Sequence, residues 1–147
     1  MQLNEVQIRE AILSDASAIS NLCSQLGYPV VTDNMEKRLS ILLPEKTEKI
    51  LVKLDGEKVI GWIHGAITTS VEYDTAVEIK GLVVDEAHRR KGIAKELVDQ
   101  IVVWAKAGGY PRVRVRSNMA RNESHVFYRN LGFIEVKQQQ VYDLLLN

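Results

Sequence analysis

The sequence predicts one α/β domain with a mixed central β-sheet of about seven strands and about four helices. Three observations support this prediction. Short segments with alternating apolar and polar residues recur along the chain, other segments place apolar residues every three or four positions, and the two kinds are interspersed. With 147 residues, of which 46% are apolar and 26% charged, the chain is typical of a single globular domain, which we expect to span residues 1–147.

The first elements are a strand and two helices. VQIREA alternates like a short strand, and Ser14 follows it as a candidate N-cap for a helix that runs to about Gln25. A second helix is predicted from Thr32 to Leu43, because apolar residues share one helical face there and Pro44 ends it. Both helices therefore precede the main run of strands.

Three strand-like runs follow the second helix. KILVKLD and EKVIGWIHGAITT meet at Asp55–Gly56, a dipeptide that adopts the positive φ angles of a tight hairpin. In the next run, AVEIKGLVV, strict alternation places Val77, Ile79 and Val83 on one face and Glu78 on the other. One face of this fourth strand is therefore expected to carry charge.

The second half of the chain contains the most regular helical pattern. From Gly92 onward, apolar residues form a broad helical stripe that ends at Gly108 and Gly109. RVRVRS is then predicted to be a strand and RNESHVFYRNLG a short helix closed by Gly132. FIEVK and VYDLLL are predicted to be the last two strands.

The charge balance and the cysteine content exclude several classes of protein. Nineteen basic and nineteen acidic residues cancel, so no global field favours nucleic acid or an anionic membrane as a partner. No stretch approaches the roughly 18 apolar residues of a membrane-spanning helix, and the N-terminal residues lack a signal peptide pattern. Cys23 is the only cysteine, which rules out an internal disulfide and argues against a metal cluster. We expect a cytoplasmic protein without a metal site.

A run of three cations precedes the long predicted helix. Arg89, Arg90 and Lys91 lie between a strand that ends at Val84 and a helix that begins near Gly92. The first N–H groups of a helix have no intrahelical partners, and the helix dipole places about half a positive charge there. The loop and the helix start are therefore suited to a phosphate or pyrophosphate group. The motifs of nucleotide P-loops and of dinucleotide-binding folds are both absent from the sequence.

The pattern Arg89-x-x-Gly92-x-Ala94 resembles the acetyl-coenzyme A (acetyl-CoA) pyrophosphate loop of the GNAT acetyltransferase superfamily, R/Q-x-x-G-x-G/A. Two further stretches strengthen the resemblance. LVVDEAH is similar to the family's L-x-V-D/P strand end, and SHVFYRNLGF is similar to its A-h-x-F-Y-x-x-L-G-F motif. The order of the elements along the chain also resembles that of the family. On these residues, the chain is identified as a member of the GNAT superfamily of N-acetyltransferases.

The resemblance implies a GNAT fold, in which the fourth and fifth strands, here AVEIKGLVV and RVRVRS, splay apart to admit the pantetheine arm of acetyl-CoA. It also implies acetyl-CoA as the cosubstrate, bound largely by backbone groups of the fourth strand and the following loop. An asparagine near the start of the last helix, Asn122 or Asn118, is a candidate for a further contact. The candidate cofactor-binding residues are Leu82, Val83, Val84, Arg89, Arg90, Lys91, Gly92, Ile93, Ala94, Lys95, Asn122 and His125. For His125, a structural contact is the alternative.

Acetyl transfer from a thioester to an amine needs a base for the amine and an acid for the leaving thiolate. A lysine-like amine, with a pKa near 10.4, is neutral in only about one molecule in a few thousand at pH 7. The resemblance makes Glu78 the candidate base, and the alternative is a surface carboxylate paired with Lys80. Tyr128 matches the family's tyrosine that protonates the thiolate of coenzyme A, and the alternative is a core aromatic residue.

The acceptor is expected to be a small-molecule amine. In the family, the segment between the first two helices, here LGYPVVTDN, and the hairpin before the fourth strand shape the acceptor site. Tyr28, Trp62 and His64 are candidate acceptor residues, and routine packing in the sheet is the alternative for Trp62 and His64. The alternating arginines of RVRVRS form either a solvated face or a site for an acidic acceptor.

Two other functions stay open at this point. A protein or peptide acetyltransferase would show an open groove in place of an enclosed pocket. A non-catalytic acyl-CoA-binding module would use the same loop for sensing, although the presence of both Glu78 and Tyr128 argues against it. The strands predicted near the C terminus would also allow a homodimer.

Overall fold

The computed structural model describes residues 7–27, 29–117 and 122–146, and of Asn122 only the backbone is described. Contacts concentrate within two units, Met1–Arg116 and Ser117–Asn147. The first contains the sheet and the loop with three cations, and the second contains one helix.

The first unit is built on a sheet of five strands. They are β1 (Gln7–Glu10), β2 (Glu48–Asp55), β3 (Lys58–Thr68), β4 (Ala76–Val84) and β5 (Val113–Val115). The strands lie in sequence order; the first four are antiparallel neighbours, and β5 runs parallel to β4. The predicted mixed sheet is confirmed, and so is the hairpin between β2 and β3, where Gly56 has a φ of 62°.

The described residues contain four α-helices and two short 3-10 turns. In chain order they are the turn Leu13–Asp15, α1 (Ala16–Gln25), α2 (Thr32–Leu42), the turn Glu86–His88, α3 (Ile93–Ala107) and, in the second unit, α4 (Asn122–Asn130). The four predicted helices are confirmed. The N-cap prediction for Ser14 is wrong, because Ser14 lies inside the 3-10 turn and α1 begins after Asp15. None of the helices in the described ranges has both the length and the apolar character to cross a membrane.

Helices cover both faces of the sheet in the first unit. α1 and α2 pack on one face, where Ile19 and Leu39 join Val52 of β2 in a buried cluster. α3 packs on the opposite face, where Ile101 is fully buried. The contact with the strand is close, because a Cβ atom at Gly65 of β3 would lie 2.8 Å from Cδ1 of Ile101. A side chain at position 65 would therefore push α3 away from the sheet.

A β-bulge changes which β4 side chains face which helices. The pairing register shifts between His64 and Gly65 of β3, where β4 accommodates one extra residue. Ile79 pairs with Gly65 and so faces α3, whereas Val83 joins the cluster beneath α1 and α2. The predicted grouping of Val83 with Ile79 on one face is therefore wrong, since a bulge reverses the alternation beyond it.

Strands β4 and β5 are paired over only part of their length. The parallel pairing joins β5 to Val77–Ile79, whereas β4 continues to Val84. Beyond Ile79, this edge of β4 has no strand partner among the residues the structure describes. The two strands thus show the expected splay.

The two strands predicted near the C terminus, FIEVK and VYDLLL, are not present. Residues 133–146 contain no strand, and most of their large apolar side chains are exposed. Alternation in the sequence predicted these strands, but a β-strand forms only when its backbone groups pair with a neighbour. In the described part of the chain, the sheet has five strands and not about seven.

Asp15 ties β1 to the start of α1, so its loss is expected to destabilise the fold. Its carboxylate accepts hydrogen bonds from both terminal nitrogens of Arg9, at 2.8 and 3.0 Å, and from the N–H of Ile12 at 2.8 Å. Burial raises the pKa of Asp15, but these hydrogen bonds outweigh burial and lower the pKa overall. We expect Asp15→Asn to lower the free energy of unfolding at pH 7 by about 2 kcal/mol.

The pH dependence of this contribution follows from the lowered pKa of Asp15. The stabilisation is fully present above the pKa of an unfolded aspartate, near 3.9, and is lost as the pH falls through the lower folded value. Urea unfolding of the wild type, Asp15→Asn and the exposed control Asp143→Asn, at pH 7 and at about pH 3, measures both effects. Equal unfolding free energies for the wild type and Asp15→Asn at pH 7 would contradict this role.

Candidate active site

The unpaired edge of β4 presents backbone hydrogen-bonding groups. The N–H of Asp85 donates to the carbonyl of Ile60 at 2.8 Å, so Asp85 directs its backbone toward β3. In an antiparallel pair, successive residues direct their backbone groups to opposite sides. Val83 therefore also faces β3, whereas Leu82 and Val84 direct their N–H groups toward the unpaired edge. Leu82 and Val84 are thus the β4 residues whose backbone donors are available to a ligand.

Side chains hold the start of the loop between β4 and α3. The carboxylate of Asp85 accepts a hydrogen bond from Nε2 of Gln25 and lies beside Nδ1 of His88, both at 2.8 Å. Gln25 also accepts, through Oε1, the N–H of Glu86 at 2.9 Å. The hydrogen bonds from Gln25 and His88 lower the pKa of Asp85, so this carboxylate is ionised at neutral pH. The end of α1 thereby fixes the loop.

The loop then passes through two left-handed residues. Arg90 has a φ of 65° and Gly92 a φ of 79°, with Lys91 between them outside the positive-φ region. When right-handed and left-handed backbone conformations alternate, successive N–H groups point toward the same side of the chain. Backbone anion-binding sites have this geometry. A left-handed conformation is uncommon for a residue other than glycine, so Arg90 marks a constrained loop.

The first turn of α3 has free backbone donors. Gly92 is the N-cap, its carbonyl accepts the N–H of Glu96 at 3.0 Å, and no side chain caps the helix. The N–H groups of Ile93, Ala94 and Lys95 therefore have no intrahelical partner. The side chain of Ile93 is buried, so its backbone is the part that a ligand can reach.

The space in front of this helix start is open. A Cβ atom added at Gly92 would have no neighbour within 4 Å among the described residues, so a ligand can approach the backbone amides directly. The helix start therefore fits a pyrophosphate group, because it combines free N–H donors, the positive end of the α3 dipole and unobstructed space in front of both.

The cations near the helix start differ in their contacts. Arg90 and Lys91 are exposed. Nε of Arg89 donates to the carbonyl of Val84 at 3.3 Å, which ties the loop to the end of β4. Nζ of Lys95 lies 2.8 Å from the carboxylate of an aspartate one turn further along α3. Arg90 and Lys91 are therefore the cations placed to add to the field at the helix start.

Glu78 is largely buried and ion-paired. Its side chain is 15% exposed, and one carboxylate oxygen lies 3.1 Å from Nε of Arg116. The structure thus pairs Glu78 with Arg116 and not with Lys80. Within the sheet, Glu78 stands opposite Ala66 of β3 and Arg114 of β5. Its carboxylate is therefore on the same face as the alternating arginines.

A pocket opens beside Glu78, between the hairpin loop that follows β3 and the segment around β5. The lining includes Thr68, Tyr73, Asp74, Glu78 and the three arginines of RVRVRS. The guanidinium of Arg114 lies over the ring of Tyr73, 5.2 Å from its centre. The pocket has both carboxylate and guanidinium groups, so it is suited to a polar ligand with charges of both signs.

His64 lies on the same face of the sheet as Glu78. Its Nε2 is 2.7 Å from Oε1 of Glu48, and both side chains are mostly buried. Burial raises the pKa of Glu48, but the contact with His64 and the hydrogen bond from Thr47 lower the pKa overall. The imidazole is thus held by an ionised carboxylate through one ring nitrogen.

Trp62 also lies on this face, where it packs against the cluster beneath α1 and α2. Its ring covers Gly81 of β4, because a Cβ atom there would lie 2.6 Å from Cη2 of Trp62. The indole N–H is buried, with no hydrogen-bond partner in the described part of the molecule. The contacts of Trp62 are therefore mainly apolar.

The helix α4 of the second unit carries two predicted site residues. His125 and Tyr128 lie three positions apart and so share nearly one face of the helix. The ring of Tyr128 makes edge contacts with Phe127 and Phe133, at centroid distances of 5.0 and 5.4 Å. Burial raises the pKa of Tyr128, which keeps its hydroxyl protonated at neutral pH.

Three predicted site residues have no described side chain. Tyr28 and Asn118 lie outside the described residues, and Asn122 is described only by its backbone as the first residue of α4. The roles assigned to them from the sequence stay predictions.

Two contacts at the site were not predicted from the sequence. Arg116 pairs with Glu78 across 38 residues of chain, and Gln25 binds Asp85 across 60 residues. A signal for the first was present, because neighbouring fourth and fifth strands bring the alternating arginines beside Glu78. No sequence pattern marks the second, which depends on where α1 ends against the sheet.

Comparison with known proteins places these features in a family. Residues 17–133 match the Acetyltransferase (GNAT) family. An aminoglycoside N(6')-acetyltransferase type 1 of Acinetobacter baumannii is 26% identical over 142 residues, which are 92% of this chain and 94% of that protein. An N-acetylaspartate synthetase of Danio rerio is 33% identical over 85 residues, which are 57% of this chain and 30% of that protein.

A solved structure with a similar fold is that of AAC(6')-Iy in complex with the bisubstrate analogue CoA-S-monomethyl-acetylneamine. Its TM-score is 0.84 at 18% identity, covering 97% of this chain and 100% of that one. Identity this low establishes the fold alone. The similarity confirms the fold that the loop and strand motifs predicted.

Proposed function

Since the chain belongs to the GNAT acetyltransferase family, we propose that it transfers an acetyl group from acetyl-CoA to a primary amine of a small molecule. The amine attacks the thioester directly, in a ternary complex of enzyme, donor and acceptor. The observation that carries this proposal is the loop before α3, where left-handed Gly92 leaves the free N–H groups of the helix open to a ligand.

The donor site uses backbone groups more than side chains. The amides from Arg90 to Ala94 bind the pyrophosphate, and the α3 dipole and the exposed Lys91 add to its field. Leu82 and Val84 bond the pantetheine arm in the manner of an added strand. When bound, acetyl-CoA supplies a thioester carbonyl that is reactive toward amines. That AAC(6')-Iy binds an analogue containing coenzyme A supports this assignment.

Glu78 is the base in this proposal. Its carboxylate lines the pocket and takes the proton that the amine loses as the N–C bond forms. Arg116, at 3.1 Å, fixes the orientation of the carboxylate. A base held in one orientation needs little rearrangement when the amine arrives.

Tyr128 is the acid. Its hydroxyl hydrogen-bonds the sulfur and gives it a proton as the C–S bond breaks, so coenzyme A leaves as the thiol. Burial raises the pKa of Tyr128 above its usual value, so the proton is present at neutral pH. With Glu78 taking one proton and Tyr128 giving one, the transfer is balanced.

The relatives support a small-molecule acceptor. One is named for aminoglycosides and another for N-acetylaspartate, and both names denote acetyl transfer to an amine of a small molecule. They differ in the charge of the acceptor. Family membership alone therefore leaves the class of amine open.

A screen of primary amines with acetyl-CoA tests the proposed function. We expect thiol release and an acetylated product, identified by mass, with at least one class of small amine. A preference for peptides would favour a peptide acetyltransferase. Coenzyme A binding without transfer to any amine would favour a non-catalytic binding module.

Replacing the base is expected to change the pH profile of the reaction. We expect Glu78→Gln to lower kcat/KM by about 100-fold and to alter its dependence on pH, because the reaction loses the group that takes the proton from the amine. The exposed Glu57, at the turn between β2 and β3, provides the control Glu57→Gln. An unchanged pH profile of kcat/KM in Glu78→Gln would remove Glu78 from the mechanism.

A further inference from the structure

The pocket beside Glu78 is rich in arginine. Arg112, Arg114 and Arg116 alternate along β5 and its flanks, which places them on one face, and all three line the pocket. Among the described residues, the acidic groups of the lining are the carboxylates of Asp74 and Glu78. The pocket thus has an excess of positive charge, although the whole chain is formally neutral.

Two of the three guanidinium groups are not neutralised by a carboxylate of the described residues. Arg116 pairs with Glu78, but Arg114 lies over the ring of Tyr73. Within residues 7–27, 29–117 and 122–146, the side chain of Arg112 has neither an ion pair nor a hydrogen bond. Guanidinium donors that line a pocket without a partner are available to an anionic group of a ligand.

The sheet register sets the distance between these donors and the base. Arg114 stands opposite Glu78, and Arg112 lies two residues earlier, about 7 Å along the strand. A carboxylate bound by Arg112 and Arg114 would therefore lie within a few ångström of an amine that contacts Glu78. Amino acids carry an amine and a carboxylate at this separation.

We propose that the acceptor is an amino acid, whose amine contacts Glu78 and whose carboxylate is bound by Arg112 and Arg114. The inference rests on the proposed function and specifies its acceptor. Hydrogen bonds between guanidinium and carboxylate groups are charge-assisted and strong. A polycationic amine would instead place further ammonium groups against the same guanidinium groups, which repel them.

Matched acceptor pairs test this inference. Phenylalanine and 2-phenylethylamine differ only by the carboxylate, as do lysine and cadaverine, and kanamycin represents a polycation. The ratio of kcat/KM for each amino acid to that for its matched amine is measured with the wild type, with Arg112→Gln and with the control Arg38→Gln. Arg38 is exposed on α2, away from the pocket.

We expect Arg112→Gln to lower this ratio by roughly tenfold or more, and Arg38→Gln to leave it unchanged. The acceptor's own amine pKa cancels when two enzymes are compared, so the change in the ratio reports on Arg112. Equal ratios in the wild type and Arg112→Gln, or a wild type that acetylates only kanamycin or the matched amines, would overturn the inference and leave the proposed function standing. Failure of every acceptor, with coenzyme A bound, would overturn both.

Discussion

Gly92→Glu is expected to weaken coenzyme A binding by roughly 100-fold or more. In the part of the chain that the structure describes, an added Cβ at Gly92 has no neighbour within 4 Å, so a glutamate side chain would enter the space in front of α3. Its carboxylate would stand against the pyrophosphate and compete for the same N–H groups. Like charges about 4 Å apart near a protein surface repel by about 4 kcal/mol, which is ample for this loss. Isothermal titration calorimetry measures the Kd.

The other end of α3 offers a matched control. Gly109 has a φ of 77°, against 79° for Gly92. Within the described ranges, an added Cβ at Gly109 likewise has no neighbour within 4 Å. Gly109→Glu therefore adds the same charge and a similar backbone strain, about 1–2 kcal/mol, but is expected to leave the Kd unchanged. Lys91→Ala removes an exposed cation and is expected to weaken binding by only about fivefold. Equal losses at the two glycines would show that strain, and not the loop, is responsible.

Tyr128→Phe is expected to lower kcat by about 100-fold while leaving the Kd for coenzyme A nearly unchanged. The change removes the proton donor but keeps the ring contacts with Phe127 and Phe133. In the described part of the chain, the Tyr128 hydroxyl has no hydrogen-bond partner, so its loss is expected to cost little stability. Steady-state kinetics with saturating acetyl-CoA measures kcat.

Tyr110 supplies the matched control for this change. Its ring packs against Gly108 at the end of α3, and its hydroxyl likewise has no partner within the described ranges. Tyr110→Phe is expected to keep wild-type kcat. A wild-type kcat in Tyr128→Phe would refute its role as the acid, and a large fall in its unfolding free energy would instead indicate a structural role.

The elements that form the donor site could be predicted because their signals are local. They are the apolar run that ends at Val84, the cations that follow it and the helical stripe that begins after Gly92, and all three are adjacent in the sequence. A glycine is expected at this N-cap, because glycine has no Cβ and therefore adopts a left-handed conformation without steric strain. The helix start was therefore predictable to within one residue.

Features that depend on pairing between distant segments were not predicted correctly. The bulge beside His64 reverses the alternation of β4, and nothing in AVEIKGLVV marks it. FIEVK and VYDLLL have the alternation of strands, but residues 133–146 form none. The pairing of Glu78 with Arg116 likewise depends on the register of β4 and β5. The periodicity of a segment indicates which secondary structure it can form, whereas its pairing with other segments determines whether that structure forms.

The central claim, that the β4–α3 loop binds coenzyme A, is tested most directly by calorimetric titration of the wild-type chain with coenzyme A. We expect saturable binding of one molecule per chain, weakened by roughly 100-fold or more in Gly92→Glu and retained in Gly109→Glu. A wild-type chain that binds no coenzyme A would contradict the donor site, and with it the proposed transfer reaction.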